Sequence, residues 1–227
     1  MPSVRVVCIS DTHCNFPALP EGDILIHAGD FCQFGTPAEV VQFNEYLGSL
    51  PFKHRIVIAG NHDTAFDSEW FDFNVRGNPW FDSVSSEATK ALLTNCTYLE
   101  DSGTTAEGYF IWGSSWVLAG FKGAFVRPDP RLFAQHYARI PPSTEILVTH
   151  GPPRGILDET CGSSVGSQPL LDKVLEVKPK IHVFGHIHEG HGQLATADTL
   201  FVNAAICDGE DKPTNSPVVL ELSQKSE

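Results

Sequence analysis

The chain has 227 residues, 41% of them hydrophobic and 19% charged, which is enough apolar sequence to fold as one domain with a full core. Fifteen basic and 28 acidic residues give a formal net charge of −13, and a surface this acidic repels a long polyanion. We therefore expect no nucleic-acid polymer as a partner, whereas a small phosphate compound could bind wherever cations supply local positive charge.

The six cysteines are scattered along the chain, with no CxxC pair and no secretory signal before the first apolar run. This pattern predicts reduced thiols and a cytoplasmic protein. The apolar runs are all shorter than the ~20 residues that a membrane span needs, so we expect no membrane association. The sequence makes no prediction about oligomeric state.

The predicted elements begin with two strands, over residues 4–9 and 23–27, because both segments are short apolar runs that end in polar residues. A helix follows from Thr36, a good N-cap, through Pro37 to about Leu50. The further predictions are strand 55–59, helix 86–93, strands 98–100, 109–113 and 145–149, helix 168–177, and strands 181–184, 199–203 and 217–222, the last at a sheet edge. Without a visible repeat or linker, we expect one α/β domain over residues 1–227.

Polar side chains of metal-binding type follow five of the predicted strands. Ligands in α/β proteins lie beyond the carboxyl ends of strands, so separate strands could bring these side chains together. The Asp-x-His and His-x-His pairs each place two side chains on one face of an extended chain. Asp30 could bridge two ions through its two oxygens, and Asn61 could offer a neutral amide oxygen. The candidate metal ligands are Asp11, His13, Asp30, Asn61, His150, His186 and His188.

Each of these residues also has an ordinary structural interpretation. A single Asp after a strand is usually a turn or cap residue, and a single His is usually part of the core or the surface. The longer motifs Gly60-Asn61-His62-Asp63 and Gly185-His186-Ile187-His188 are more specific. Their occurrence in order with three further strand-end groups favours the metal interpretation.

The motifs DTH (11–13), GD (29–30), GNHD (60–63), THGPP (149–153) and GHIH (185–188) resemble those of the calcineurin-like metallophosphoesterase superfamily, in the same order. The chain is most similar to the small brain-type metallophosphodiesterases of the metallophosphoesterase-domain proteins, through THGPPRG (149–155), KPKIHVFGHIHEGHG (178–192) and PTNSPVV (213–219). The resemblance implies an α/β fold, a metallophosphoesterase-type β-sandwich of two mixed sheets flanked by helices, with two divalent ions at the strand ends.

The resemblance also implies how the ligands are shared between the two ions. The first ion takes Asp11, His13 and His188; the second takes Asn61, His150 and His186; and Asp30 bridges both. His62 then faces the substrate without binding an ion. Imidazole, carboxylate and amide ligands suit several transition metals. The resemblance favours manganese or an iron-containing pair, with zinc, nickel and cobalt as alternatives.

The predicted catalytic residues are His62 and Asp63. Our hypothesis is that a hydroxide bridging the two ions attacks phosphorus in line, while His62 stabilises the phosphoryl charge or protonates the leaving alkoxide. Asp63 either orients the His62 imidazole or acts as a turn carboxylate. Arg154, soon after His150, could reach a substrate phosphate or lie in solvent.

The predicted function is metal-dependent hydrolysis of a small phosphodiester or nucleotide, with cyclic nucleotides suggested by the resemblance. One alternative is a phosphomonoesterase or nucleotidase, and another is a metal-binding scaffold of the same fold, as in the retromer subunit that the fold resembles. Presence of all seven ligands favours an enzyme. In the aromatic segment 66–81, Trp70 or Trp80 could stack on a nucleobase, or the segment could simply pack onto the domain.

Overall fold

The computed structural model describes residues 3–74, 85–118, 122–127 and 129–225. The strands are β1 (Ser3–Ile9), β2 (Ile24–Ala28), β3 (His54–Ile58), β4 (Thr97–Tyr98), β5 (Ser102–Ala106), β6 (Tyr109–Ser114), β7 (Val117–Leu118), β8 (Val126–Arg127), β9 (Ile146–Thr149), β10 (Glu159–Thr160), β11 (Ser163–Ser164), β12 (Ile181–Phe184), β13 (Gly192–Ala195), β14 (Leu200–Asn203) and β15 (Val218–Ser223). The α-helices are α1 (Pro37–Ser49), α2 (Ser68–Asn74), α3 (Ser86–Lys90), α4 (Pro130–Tyr137) and α5 (Gln168–Val177). Short 3₁₀ helices cover Thr64–Phe66 and His188–Gly190.

Two large mixed sheets form the body of the protein. The first has the order β15-β1-β2-β3-β4, in which β1 to β4 are parallel and β15 pairs antiparallel with β1 at one edge. The second has the order β13-β14-β12-β9-β6-β5, with a parallel centre and an antiparallel strand at each edge. The fold predicted from the resemblance, two mixed sheets flanked by helices, is confirmed.

Alternating side chains bury both faces of each sheet along its central strands. On β1, Val6 packs in the cluster between the two sheets, whereas Val7 packs in the cluster beneath α1, because successive side chains of a strand point to opposite faces. On the outer face of the second sheet, Leu147 packs with Phe133 of α4 and Val174 of α5. Parallel strands buried on both faces leave their carboxyl ends as the place where polar side chains can gather.

The predicted elements match the structure within a few residues, and the 168–177 helix matches at both ends. The predicted helix 86–93 is too long, because α3 ends at Lys90. Strands β5 and β13, the short pairs β7–β8 and β10–β11, and helices α2 and α4 are additional to the predictions. Among the described residues, no helix has the length and apolar character required to cross a membrane.

Helix α1 begins with a capping box that can be tested by mutation. The Thr36 hydroxyl accepts from the Glu39 amide at 3.3 Å, and the Glu39 carboxylate accepts from the Thr36 amide at 2.8 Å. Thr36→Ala is expected to lower the free energy of unfolding by about 1 kcal/mol because the helix loses this cap. Urea denaturation measures the change, and Thr36→Ser, which retains the hydroxyl, is the matched control. Equal stability of the alanine and serine variants would contradict the assignment.

Candidate metal centre

The loops after β1, β2, β3, β9 and β12 meet at one edge of the sandwich and carry the candidate ligands. Three groups of side chains there hold their potential ligand atoms within 4.8 Å of one another. The groups are Asp11, His13 and His188; His13, Asp30 and His62; and Asp30, His150 and His186. The strand ends therefore bring together six of the seven predicted ligands and His62, and Asn61 joins them through His150.

The first two loops have an unusual backbone and are bonded to each other. Asp11, His13 and Asp30 have φ of 50°, 43° and 56°, in the left-handed region that residues with side chains seldom adopt. The Asp11 amide donates to the Gly29 carbonyl at 2.9 Å, and the His13 amide donates to the Asp30 carbonyl at 3.1 Å. Such a backbone persists only where surrounding contacts hold it, and it is common at functional sites.

Asp11, His13 and His188 form the first half of the centre. His188 Nε2 lies 3.5 Å from Asp11 Oδ1 and 3.4 Å from His13 Nε2. The His188 Nδ1–H donates to the Asp208 carbonyl at 2.7 Å, so the Nε2 lone pair faces the other two ligands. Asp11 Oδ1 is buried and makes no hydrogen bond among the described residues. A divalent cation fits this set, because it would satisfy acceptor atoms that otherwise face one another.

Asn61 and His150 form part of the second half. The His150 Nδ1–H donates to the Ala28 carbonyl at 2.8 Å, which directs Nε2 toward Asn61 Oδ1, 3.1 Å away. The Asn61 side-chain amide donates to the Lys122 carbonyl at 3.0 Å, which fixes its oxygen toward the site. Each side chain therefore turns a potential ligand atom toward the site and bonds its other polar atom to the backbone.

Asp30 lies between the two halves. Its Oδ2 is 4.0 Å from His13 Nε2 and 3.3 Å from His150 Nε2, and the residue belongs to two of the three ligand groups. Its Oδ1 accepts from the His62 amide at 2.8 Å. The carboxylate thus lies between two groups of potential ligand atoms.

Two motif glycines are required by this close packing. A Cβ on Gly60 would lie 2.3 Å from Asp30 Oδ1 and 2.6 Å from His150 Nε2. A Cβ on Gly185 would lie 2.0 Å from Asp11 Oδ2. Any larger residue would displace candidate ligands, which explains why glycine precedes Asn61 and His186 in the two longer motifs.

The charges of the centre oppose the effect of burial. Burial disfavours the Asp11 carboxylate, but the close His188 ring, with Nε2 at 3.5 Å, and the charge of His150 outweigh it and lower the pKa of Asp11 to about 2. Burial also disfavours protonated His150, yet the charge of Asp30 raises the pKa of His150 to about 9. Burial lowers the pKa of His186 to about 3. A cation at His150 would replace the proton that the raised pKa keeps on its ring, so metal binding is expected to release a proton near neutral pH.

Comparison with known proteins gives the family. The model of the calcineurin-like phosphoesterase family matches residues 4–190. The chain belongs to this family. This phosphoesterase is 44% identical over 230 residues to metallophosphoesterase domain-containing protein 1 of Homo sapiens, across 96% of the chain and 71% of that protein. It is 39% identical over 229 residues to a UPF0046 protein of Caenorhabditis elegans, across 99% of the chain and 77% of that protein.

Solved structures support the fold of the phosphoesterase. The crystal structure of TT1561 of Thermus thermophilus superposes with a TM-score of 0.61 at 14% identity, covering 89% of each chain. Another crystal structure gives a TM-score of 0.69 at 16% identity and covers 98% of the chain. The family and the clustered His and Asp side chains together identify a metal-dependent phosphoester hydrolase that binds divalent metal and acts on a small phosphoester.

His62 adjoins the ligands and is held by the backbone. Its Nδ1–H donates to the Gln33 carbonyl at 2.9 Å, so Nε2 is the nitrogen not used in that bond, and the ring lies 4.7 Å from the His13 ring. The Asp63 carboxylate accepts from the Asp30, Cys32 and Gly60 amides at 2.8–2.9 Å. Of the two interpretations of Asp63, this geometry favours the turn carboxylate, because the described contact that orients the His62 ring comes from Gln33.

The possible substrate contacts predicted outside the centre have mixed outcomes. Trp70 is half-buried and packs with Ala65 and Phe71, which favours the packing interpretation for this part of the aromatic segment. Trp80 lies outside the described residues. Arg154 is exposed, and its amide donates to the Ser167 carbonyl at 3.1 Å. Its role at the substrate stays a prediction.

The groups that orient the ligands were missing from the sequence interpretation. The carbonyls of Ala28, Gln33 and Asp208 each fix one histidine ring. Every residue has a carbonyl, so the sequence contains no signal for this role. The positions of these three groups depend on how separate loops pack, which is visible only in the folded chain.

Metal loading is expected to stabilise the phosphoesterase against heat. An ion that binds only the folded state adds about 2.7 kcal/mol when its free concentration is about 100 times its Kd. For a chain of this length, that corresponds to a rise in Tm of about 5–10 °C. Calorimetry of metal-stripped protein with and without manganese measures the shift, and a chelator should reverse it. An unchanged Tm at saturating manganese would contradict a metal centre built from folded loops.

Proposed function

We propose that this phosphoesterase hydrolyses small phosphodiesters at a centre of two divalent ions, with manganese as the candidate metal that the family resemblance favours and cyclic nucleotides as candidate substrates. The observation that carries the proposal is the position of Asp30, whose carboxylate lies between two separate groups of ligand atoms. Iron, zinc, nickel or cobalt could replace manganese with the same oxygen and nitrogen ligands.

The proposed assignment divides the ligands around Asp30. Asp11, His13 and His188 hold one ion, and Asn61, His150 and His186 hold the other. When bound, the two ions supply Lewis-acid activation of the phosphoryl group and a nucleophile derived from water. The ligand carboxylates are Asp11 and Asp30, so a pair of divalent ions leaves net positive charge for a phosphate anion.

In this proposal His62 acts directly on the substrate. Since Nδ1–H donates to the Gln33 carbonyl, Nε2 is the ring atom that faces a phosphoryl oxygen or the leaving alkoxide and that would transfer a proton there. The His62 amide also donates to Asp30 Oδ1, which ties the position of the ring to the shared carboxylate. His62 therefore stabilises developing charge and supplies a proton as the ester bond breaks.

We further propose that residues 1–227 form a single domain and that the protein is cytoplasmic. Strand β15 lies beyond the part of the chain that matches the family model, yet it pairs with β1 along six residue positions of the first sheet. This pairing supports one domain over the whole chain. All six cysteines are unpaired, as expected of a reducing compartment.

The test compares a generic aryl phosphodiester with its matching monoester. Metal-stripped protein is titrated with manganese, and kcat/KM is measured for both substrates. We expect manganese-dependent turnover with a higher kcat/KM for the diester. Preference for the monoester would establish the phosphomonoesterase alternative. Absence of turnover with confirmed metal occupancy would instead establish the scaffold.

A further inference from the structure

His27 is a fully buried histidine that contacts two loops of the metal centre. It lies on β2, three residues before Asp30, and the reaction proposed above does not use it. Its Nε2 is 3.0 Å from the Thr12 hydroxyl oxygen. Its Nδ1 is 3.3 Å from the amide nitrogen of Gly29. A polar ring in the core with both nitrogens engaged has a single definite orientation.

The hydrogen bonds of His27 define which nitrogen carries the proton. The Gly29 amide can only donate, so Nδ1 accepts and the proton of the neutral ring is on Nε2. Nε2–H therefore donates to the Thr12 hydroxyl. Burial lowers the pKa of His27 to about 3, which keeps the ring neutral under physiological conditions. The same two bonds are thus present whenever the protein is folded at neutral pH.

The two partners of His27 stand beside candidate ligands. Thr12 separates Asp11 from His13, and Gly29 immediately precedes Asp30. One imidazole therefore connects the loop after β1 to the loop after β2, where the left-handed backbone needs support from its surroundings.

Aromatic side chains hold the His27 ring from the sides. The Phe43 ring lies 5.1 Å away at an interplanar angle of 77°, and the Phe31 ring lies 6.0 Å away at 83°. These edge-to-face contacts prevent the imidazole from rotating out of line with its two hydrogen-bond partners. Phe43 belongs to α1, so the helix on the outer face of the sheet also supports the metal loops through His27.

We propose that His27 is a positioning residue of the metal centre, which holds the Asp11-Thr12-His13 loop and the Gly29-Asp30 loop at the separation that lets their ligands share cations. The inference rests on the proposed function, since it assigns His27 a role in the same centre. Groups that orient metal ligands usually change metal affinity when they are replaced, and the change is about 10–100-fold.

A similar arrangement in the second sheet supports the proposal. His182 on β12 is also fully buried, and its Nε2 lies 2.8 Å from the Thr149 hydroxyl. That hydroxyl donates to the Gly151 carbonyl at 2.8 Å, so Nε2–H is the donor to Thr149. Thr149 and Gly151 flank His150. In both sheets a buried histidine therefore holds a threonine that adjoins a candidate ligand.

The test measures manganese affinity, because affinity depends on the positions of the two ligand loops and can be measured without turnover. The Kd is obtained from the free manganese signal in electron paramagnetic resonance for the wild type and for His27→Leu, His27→Gln, Thr12→Val and the double variant His27→Leu/Thr12→Val. Glutamine can retain a donor to Thr12, so it serves as the conservative replacement. Val174→Ala, a core change in α5, is the control for lost stability.

We expect His27→Leu to weaken manganese binding about 10–100-fold and His27→Gln to recover part of that loss. Adding Thr12→Val to His27→Leu should change the Kd less than about twofold, because the two residues act through one hydrogen bond. Val174→Ala should leave the Kd unchanged. If His27→Leu does not fold, the test uses His27→Gln and Thr12→Val, provided that both variants fold. Weaker manganese binding by these two variants then supports the proposal.

Three results would overturn the role of His27. The first is an unchanged manganese Kd in folded His27 variants. The second is a double variant whose loss of affinity equals the product of the two single losses. The third is an equal loss of affinity in Val174→Ala. Failure of the wild type to bind manganese would overturn the proposed metal centre itself. The two proposals therefore fail in distinguishable ways.

Discussion

Replacing Asp30 by asparagine is expected to lower kcat/KM for phosphoester hydrolysis by at least about 100-fold and to weaken manganese binding. The side chain keeps its shape, but it loses the negative charge that faces both His13 and His150. Because Asp30 belongs to two ligand groups, its loss should affect both ions. Steady-state kinetics and metal content of the purified variant measure the two effects.

Asp23 provides the matched control for this experiment. It lies at the other end of β2, where its carboxylate accepts from the Arg5 amide at 2.7 Å. Asp23→Asn removes the same charge next to the opposite end of β2, away from the centre, so activity and metal content should stay close to those of the wild type. Equal effects of the two substitutions would contradict a specific role for Asp30.

His62→Gln is expected to lower kcat by about 10²–10⁴-fold while metal content is retained. Glutamine can donate a hydrogen bond, but it cannot supply a proton to a leaving alkoxide. His54→Gln is the matched control, since His54 begins β3 and His62 follows the same strand at its other end. His54 contacts Glu107 at 2.8 Å, away from the candidate ligands. Unchanged kcat in His62→Gln with full metal occupancy would show that His62 has no part in the chemistry.

The metal centre was predictable from the sequence because its side chains come directly after apolar strands. Asp11 follows β1, Asp30 follows β2 and His150 follows β9, and parallel strands deliver such residues to the same edge of a sheet. Short spacings within the motifs then place neighbouring ligands together. Local sequence and strand direction are enough for this inference.

Several elements were not predictable from hydrophobic pattern alone. Strand β5 has the sequence Ser-Gly-Thr-Thr-Ala and lies at a sheet edge, where little apolar surface is buried and no strong alternation is required. Helix α4 has a recognisable N-terminal sequence, because Asp129 caps it and Pro130 follows. The helix is short and flanked by irregular segments, so its hydrophobic pattern alone does not predict it.

Long-range polar contacts were also inaccessible from the sequence. A histidine in an apolar strand, such as His27, is compatible with either packing or function until its partners are known. Its contact with Thr12 depends on the pairing of β1 with β2, and its aromatic neighbour Phe43 depends on how α1 docks. Tertiary packing decides such roles, so the sequence can nominate ligands but cannot identify the groups that orient them.

A centre of two ions is tested most simply by the number of manganese ions bound per chain, determined on metal-stripped protein during titration, with diester turnover followed in the same samples. We expect two ions per chain and turnover that reaches its full rate only as the second ion binds. Saturation at one ion, or full turnover by the stripped protein, would contradict a centre in which Asp30 serves two ions.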